Sequence, residues 1–348
     1  MDNDTIKVEI DIDGEAFYPS IIIENDIYPE HLGLGFSPIF KELISERVKA
    51  GKKSLIGAAL KLAANGTYGQ LADQFSPFFD LKALLSVTLT GQLILCMFIE
   101  QVLKIQGCRM IQSNTDGITI WIKRDAVPHV TQIGDWWKGI TGIKMEYAFY
   151  QKLILKDCNN YLAEFENGDT KAKGRYAYDL SYHQDASALV VPMAAEYYYI
   201  HGQCIDDFIR NHKNKYDFCL RAKVPSTNKM VMRYPDFNTE IPMQKITRYT
   251  VTKTGGYLFK IAPPRGIPGT FKRANKIPDT LYKSVMGEIG IGVWDERIHT
   301  KNKSTHPEHE INGICADQTV TDCSNIKNFN WSEIDYDWYI KKAEALII

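Results

Sequence analysis

The feature that most constrains the fold is a strict alternation of apolar and acidic residues near the beginning of the sequence. In the run VEIDID at residues 8–13, three β-branched residues alternate with three carboxylates, the last of which is Asp13. Successive side chains of a strand point to opposite faces, so the run predicts a half-buried strand with its acids on one face. A solvated strand surface would explain this pattern. Clustered carboxylates are, however, also the ligands that hard divalent cations prefer.

A second acidic position, Asp116, lies in a predicted hairpin. Residues 109–122 form two strand-like runs, RMIQS and ITIWI, around the sequence NTDG. The second run places isoleucine at every other position, as a half-buried strand does. Asp and Gly are common in tight turns because they tolerate left-handed backbone conformations, so Asp116 is also explained as a turn residue. Neither acidic position identifies a metal site by itself.

Helical patterns separate the two acidic positions. Residues 38–70 predict two helices that break near residue 50, and residues 81–106 predict a long, largely buried helix. Beyond the hairpin, the runs YLAEF and ALVV predict strands, and the C-terminal run IDYDWYIKKAEALII predicts a closing amphipathic helix. One face of the second predicted helix carries a cation, an amide and a phenol at positions i, i+4 and i+7: Lys61, Asn65 and Tyr68. An exposed basic helix without a ligand remains the alternative interpretation of this cluster.

Three segments in this order resemble the motifs of the family B DNA polymerases. DGEAFYPSI at 13–21 is similar to motif A, usually Asp-x-x-Ser-Leu-Tyr-Pro-Ser-Ile, and KLAANGTYG at 61–69 resembles motif B, Lys-x-x-x-Asn-Ser-x-Tyr-Gly. SNTDGI at 113–118 resembles motif C, whose usual core is Asp-Thr-Asp-Ser. Weaker similarity continues through 159–176 and 248–260, so the likeness to phage-type members covers nearly the whole chain.

The resemblance implies an α+β chain with the right-hand polymerase architecture. We expect an antiparallel, ferredoxin-like palm sheet in residues 1–36 and 73–244, helical fingers in 37–72, and a mostly helical thumb in 245–348. Composition changes near the last boundary, where residues 245–283 contain nine basic residues and one acid. Such a basic stretch is suited to hold duplex DNA through its phosphates, without reading its sequence.

The family's chemistry implies a role for each matching residue. It uses two Mg²⁺ ions, for which Mn²⁺ could substitute, and Asp13 and Asp116 would bridge them with the backbone carbonyl of Gly14 as a further ligand. The expected nucleotide contacts are Lys61 and Arg47 on the triphosphate, Tyr18 beneath the sugar, and Asn65 and Tyr68 around the nascent base pair. The expected DNA contacts are Lys171, Lys173, Arg248, Lys253 and Lys260.

Three positions differ from the family's motifs, and a fourth, Asp11, is an additional acid close to Asp13. Asn114 replaces the first motif C aspartate, which implies a weaker field at the site, and Ala16 replaces the motif A serine. Gly66 replaces the motif B serine and is expected to loosen its helix, by ~1 kcal/mol relative to alanine. Asp11 shares a strand face with Asp13, and we expect it to be a hydrated neighbour rather than a third ligand.

These residues predict an enzyme that transfers a nucleotide from a dNTP to a primer 3′-hydroxyl on primer–template DNA, in the replication of a phage or mobile element. The rival is a non-catalytic DNA-binding subunit or remnant of a polymerase, favoured by Asn114. A metal-dependent phosphohydrolase is more distant because it would not need the motif B helix. Only 12 residues precede Asp13. We therefore expect either a separately encoded half that assembles with an N-terminal polymerase or exonuclease subunit, or a fragment of a longer gene product. A minimal polymerase that lost proofreading is the third alternative.

The sequence predicts a cytoplasmic protein without a membrane span. Its seven cysteines are scattered and contain no CxxC pair, its N-terminus is acidic, and no run of about 18 apolar residues occurs. Zinc-ligand residue types also occur near the C-terminus, but their spacing matches no common site, so we expect loop residues without metal. They are His306, His309, Cys315 and Cys323.

Overall fold

The computed structural model of the chain divides into two compact units, Met1–Arg175 and Tyr176–Ile348, called unit 1 and unit 2 below. The structure describes residues 7–51, 54–180, 184–226, 228–234, 240–262, 309–312 and 318–348.

Unit 1 combines one antiparallel sheet with helices. Its strands and helices are β1 (Lys7–Gly14), α1 (Phe17–Glu24), α2 (Phe36–Ala50), α3 (Leu55–Gln70), α4 (Leu81–Val102), β2 (Arg109–Ser113), β3 (Gly117–Lys123), α5 (Val127–Thr141), β4 (Met145–Asp157), β5 (Asn160–Phe165) and β6 (Thr170–Lys173). The six strands pair in the order β2-β3-β1-β4-β5-β6. The strand predicted at 8–13 and the hairpin predicted at 109–122 are both confirmed.

The two faces of this sheet differ as the alternation predicts. Ile10 and Ile12 of β1 and Ile118 and Ile120 of β3 are almost completely buried and form a core with helices α1, α4 and α5. Asp13 and its acidic neighbours therefore lie on the opposite face of β1. Because the apolar face is fixed by packing, a slip of one residue in the β1 register would place carboxylates in the core.

The break between α2 and α3 also follows the sequence. Helix α2 ends at Ala50, and Gly51 adopts a positive φ of 85° that glycine tolerates. Ser54 then starts α3, because its Oγ accepts a hydrogen bond from the Gly57 N–H at 2.9 Å. A Cβ at Gly57 would lie 2.1 Å from the Gly51 carbonyl oxygen, so this tight connection requires glycine there.

Helix α4 differs from its prediction, because only one of its faces is buried. Val87 and Phe98 are completely buried in the core. A row of leucines on the opposite face is more than half exposed: Leu81, Leu85, Leu89 and Leu93. With 22 residues and a mean hydropathy of 1.8, α4 is also the one helix in the described ranges that is long and apolar enough to cross a membrane. Buried core helices pass the same test, and the buried face of α4 is part of the unit 1 core.

Unit 2 is built around a second sheet. Its elements are α6 (Val190–His201), α7 (Ile205–Asn211), β7 (Leu220–Lys223), β8 (Lys229–Arg233), β9 (Glu240–Met243), β10 (Ile246–Ala262), β11 (His309–Asn312), β12 (Val320–Asp322) and α8 (Tyr336–Glu344). Strand β10 is central and pairs with β7, β8, β11 and β12. Helix α8 confirms the closing amphipathic helix expected from the C-terminal sequence.

Several details of unit 2 differ from the sequence-based expectations. The boundary placed near residue 244 falls inside the unit, because β10 pairs with β7 and β8 on its other side. In the described part of 245–348, strand residues outnumber helical residues, with α8 as its one longer helix, whereas a mostly helical segment was expected. The apolar run ALVV, predicted as strand, instead leads into α6. The chain is thus a mixed α and β protein with antiparallel sheets, as expected, and the finer palm, fingers and thumb assignment stays a prediction.

Candidate active site

Strand pairing brings the two predicted acidic positions together. In the antiparallel register of β1 and β3, Asp13 lies opposite Gly117, the residue that follows Asp116. The Gly14 N–H donates a hydrogen bond to the Asp116 carbonyl oxygen at 2.8 Å. The charges also interact: burial, and then the charges of Asp11 and Asp116, raise the pKa of Asp13. Residues 103 positions apart therefore form one acidic site at the end of the sheet.

The environment of Asp13 suits a bound cation. Its Oδ1 atom is buried and has no hydrogen-bond partner, an arrangement that is costly unless something else compensates the oxygen. Gly117 leaves room for this atom, since a Cβ there would lie 2.1 Å from Asp13 Oδ1. In the described parts of the chain, no group of three or more His, Cys, Asp or Glu residues is arranged to hold a metal. Two carboxylates nevertheless fit Mg²⁺, which is commonly held by one or two carboxylates with substrate phosphates and water.

Asn114, which departs from the usual motif C sequence, shapes the turn that presents Asp116. Its Oδ1 accepts hydrogen bonds from the backbone N–H groups of Asp116 at 3.1 Å and Gly117 at 2.6 Å. The Thr115 hydroxyl lies 3.2 Å from Asp116 Oδ1 and donates to it. This side-chain-to-backbone pattern fixes a turn locally. The asparagine therefore keeps a positioning role at this site without adding a negative charge.

Asp11 is not the hydrated neighbour that was expected, because the fold buries it. It is 5% exposed and accepts three hydrogen bonds, from Thr119 Oγ1 at 2.8 Å, Tyr150 OH at 2.7 Å and Lys171 Nζ at 3.0 Å. Burial alone would raise the pKa of Asp11, but the bonds from Tyr150 and Lys171 outweigh it and hold the pKa below its usual value. Asp11 is thus an ionised, fully paired carboxylate beside Asp13.

The same contacts change the interpretation of Lys171. Its Nζ also lies 3.1 Å from the Tyr150 hydroxyl, and the side chain is only 30% exposed. Lys173, two residues further along β6, is exposed, and its Nζ lies 5.6 Å from the centre of the Tyr161 ring. Of the two lysines of β6 that were predicted to contact DNA, Lys173 is therefore available for a phosphate, whereas Lys171 is engaged within the sheet.

Two tyrosines join the three motif segments. Tyr18 of α1 and Tyr68 of α3 stack with ring centroids 4.5 Å apart and planes 7° from parallel. The Tyr18 hydroxyl donates a hydrogen bond at 3.4 Å to the carbonyl oxygen of Thr115, which lies in the turn next to Asp116. Burial is the main cause of the raised pKa of Tyr18. The structure thus places the predicted sugar-side and base-side tyrosines in contact, beside the acidic turn.

The other predicted nucleotide-binding residues lie on α2 and α3. Lys61 and Asn65 are exposed on α3, and Arg47 is half-buried on α2. The Nε atom of Arg47 is buried and has no hydrogen-bond partner. These positions leave all three side chains available for a ligand. Their contact with a nucleotide stays a prediction.

The predicted basic and zinc-type residues of the second half lie in unit 2. Arg248 and Lys253 are exposed on β10, and Lys260 is half-buried on the same strand. His306 and Cys315 lie outside the described residues, as does the side chain of His309. Cys323 is buried, with its sulfur 3.4 Å from Thr250 Oγ1.

No protein-family model matches the sequence, and no curated protein does. Among solved structures, the chain is similar to the family B DNA polymerase from the hyperthermophilic archaeon Pyrobaculum calidifontis, with a TM-score of 0.47 and 12% sequence identity. The alignment covers 98% of this chain and 44% of that chain, so this chain spans less than half the length of that polymerase. The functional assignment below is therefore based on the residues of the acidic site.

Proposed function

We propose that the chain is a template-directed DNA polymerase of the family B type, which transfers a nucleotide from a dNTP to a primer 3′-hydroxyl. The observation that carries this proposal is the pairing of β1 with β3, which brings Asp13 and Asp116 to one point beside the stacked Tyr18 and Tyr68. The acids, the turn and the tyrosines come from the three segments that resemble the family's motifs, in the family's order.

In this proposal, Asp13 and Asp116 hold the metal ions, and the Gly14 carbonyl is a further ligand. When bound, two Mg²⁺ ions activate the primer hydroxyl and stabilise the leaving oxygen. Asp13 contributes an oxygen that has no protein partner, and Asn114 fixes the turn that aims Asp116. The protein's part is to hold two carboxylates close together. Burial first, and then the charges of Asp11 and Asp116, raise the pKa of Asp13, so its charged form is disfavoured until a cation compensates it.

The nucleotide would lie between the acidic site and α3. Lys61 and Arg47 would contact the triphosphate as cations, and Asn65 would face the nascent base pair. The Tyr18 ring, held by Tyr68 and the Thr115 carbonyl, would occupy the space that a 2′-hydroxyl needs and so select deoxynucleotides. A rigid ring is suited to this task because stacking on one side and a hydrogen bond on the other restrict its movement.

DNA binding would use basic residues of both units. Lys173 in unit 1 and Arg248, Lys253 and Lys260 in unit 2 would contact phosphates, which makes binding independent of sequence and sensitive to salt. We also propose replication of a phage or mobile element, a cytoplasmic location, and an N-terminal polymerase or exonuclease subunit as a partner. These extensions come from the sequence resemblance.

A non-catalytic DNA-binding subunit is the second candidate. The observation that favours it is that Asn114 provides no third carboxylate, so the site presents two acids in the described structure. This candidate predicts DNA binding without chemistry. The two candidates therefore differ in one measurable property, the extension of a primer.

Primer extension separates the two candidates. The purified chain is given a labelled primer–template and all four dNTPs, with Mg²⁺, with Mn²⁺ or with a chelator. Metal-dependent extension that follows the template sequence supports the polymerase. Binding of primer–template without any extension in either metal, alone or with an N-terminal partner, rejects it in favour of the non-catalytic subunit.

A further inference from the structure

Beyond the residues assigned above, a buried network spans the acidic face of the unit 1 sheet. It consists of Asp11 of β1 with its three donors, Thr119 of β3, Tyr150 of β4 and Lys171 of β6. Gln112 of β2 extends it, with its Nε2 donating to Thr119 Oγ1 at 3.1 Å. Five of the six strands therefore contribute to one connected set of hydrogen bonds, next to the residue proposed to bind metal.

This network decides where a buried cation lies. Asp11 and Asp13 are on the same face of β1, about 6–7 Å apart along the strand, so the Lys171 ammonium has two carboxylates within its neighbourhood. It pairs with Asp11 at 3.0 Å, and the Tyr150 hydroxyl at 3.1 Å fixes it further. Asp13 Oδ1 has no hydrogen-bond partner. The ammonium is thus hydrogen-bonded to Asp11 and not to Asp13, the proposed metal ligand.

We propose that Asp11 is a positioning residue of the acidic site, which anchors the Lys171 ammonium away from Asp13 and leaves the Asp13 carboxylate open for a divalent cation. The inference rests on the proposed function in one respect, because it takes Asp13 as the metal ligand. It adds a residue that none of the motif resemblances assigns, and it gives Lys171 an internal role in place of a DNA contact.

The physical argument is competition for one carboxylate. An ammonium released from Asp11 would have two carboxylates with an unpaired oxygen on the same strand face, Glu9 and Asp13. The charge of Lys171 already acts on the pKa of Asp13, whereas burial alone shifts the pKa of Glu9. A charge-assisted hydrogen bond to Asp13 would occupy the oxygen that a metal needs. The three donors to Asp11 come from three different strands, so the anchor is as rigid as the sheet that carries it. Removal of the anchor should therefore weaken metal binding, and removal of the lysine as well should restore it.

The test is a cycle of variants with Mn²⁺ as the probe. Asp11→Asn keeps the size of the side chain and an acceptor for Thr119 or Tyr150, but removes the charge that holds Lys171. Mn²⁺ affinity is measured by isothermal titration for the wild type, Asp11→Asn, Lys171→Gln and the double variant. We expect Asp11→Asn to weaken binding by about tenfold, the lower end of what residues that orient metal ligands usually contribute. The double variant should return to within about twofold of the wild type.

Both outcomes of the cycle are decisive. A merely structural role for Asp11 would make the double variant as weak as Asp11→Asn or weaker, and that result would overturn the proposal, as would unchanged affinity in Asp11→Asn. Circular dichroism confirms that each variant folds. Because the probe is metal binding, the cycle is independent of primer extension: recovery in the double variant with no extension by the wild type would reject the polymerase and keep the anchor.

Discussion

The backbone N–H of Gly14 donates a hydrogen bond to the carbonyl oxygen of Asp116 at 2.8 Å. This bond continues the β1–β3 ladder past Asp13 and fixes the end of one strand to the turn that follows the other. Because the apolar faces of both strands are buried, the register cannot shift without exposing isoleucines. The closeness of Asp13 and Asp116 is therefore a consequence of the packing of the sheet.

A side chain at Gly117 should destroy this arrangement. In Gly117→Ala the new Cβ would lie 2.1 Å from Asp13 Oδ1 and 2.3 Å from the Ile12 carbonyl oxygen, so the strand ends must separate. We expect a loss of about 3 kcal/mol in the free energy of unfolding, measured by urea denaturation. Gly66→Ala is the matched control, because nothing lies within 4 Å of its Cβ and α3 should gain roughly 0.5–1 kcal/mol. Equal effects of the two substitutions would contradict the close approach at Gly117.

The ribose side of the pocket is tested at Tyr18. We expect Tyr18→Ala to raise incorporation of ribonucleotides relative to deoxynucleotides by about tenfold or more, since it removes the ring that would exclude a 2′-hydroxyl. Tyr18→Phe keeps the ring and its stacking on Tyr68 and loses the hydrogen bonds of the hydroxyl group, to the Thr115 carbonyl and to Tyr68. It should discriminate nearly as well as the wild type. Single-nucleotide incorporation with each substrate measures the ratio, and unchanged discrimination in Tyr18→Ala would remove Tyr18 from this role.

Much of the local structure could be predicted from the sequence, because period-2 and period-3.6 patterns depend only on neighbouring residues. The acidic strand, the NTDG hairpin and the break at Gly51 are of this kind. The run ALVV was interpreted wrongly because four apolar residues fit a strand or a buried helix equally well.

The Asp11–Lys171 pair could not be predicted in the same way. Its partners are separated by 160 residues, and their contact depends on the order β1-β4-β5-β6, which no local pattern encodes. The signal that was present is that Asp11 and Asp13 share a strand face, but this pattern fits a hydrated carboxylate as well as one paired with a cation. Tyr150 was missed for the same reason, since it lies on β4, the neighbour of β1 across the sheet.

Exposed Lys173 should carry the DNA contact that was predicted for both lysines of β6. We expect Lys173→Gln to weaken binding of primer–template and to reduce the salt slope of binding by about one. Lys104→Gln is the control, because Lys104 follows α4, which packs on the opposite, apolar face of the sheet. Fluorescence anisotropy at several salt concentrations gives both slopes. Identical slopes for the two variants would show that Lys173 does not contact phosphate.

The start of α4 should be sensitive to acid. Asp80 accepts hydrogen bonds from the Ala83 N–H at 2.9 Å and the Glu30 N–H at 3.0 Å, and these bonds hold the pKa of Asp80 below its usual value. A lowered pKa stabilises the fold above the unfolded pKa, and the stabilisation is lost as the pH falls through the folded pKa. Asp80→Ala should therefore cost about 1 kcal/mol at neutral pH and progressively less in acid. Denaturation at about pH 7 and about pH 3 compares the two proteins; a constant difference would contradict the cap.

The central claim, that Asp13 and Asp116 form the metal site of a polymerase, is tested most directly by primer extension with Asp116→Asn. Asp125→Asn, at an exposed acid beyond β3, is the matched control. We predict that Asp116→Asn lowers the rate of extension by at least about 10³-fold, as loss of a metal-holding carboxylate should, while its affinity for primer–template stays within about threefold. Asp125→Asn should extend as the wild type does. Extension by Asp116→Asn at the wild-type rate would contradict the assignment.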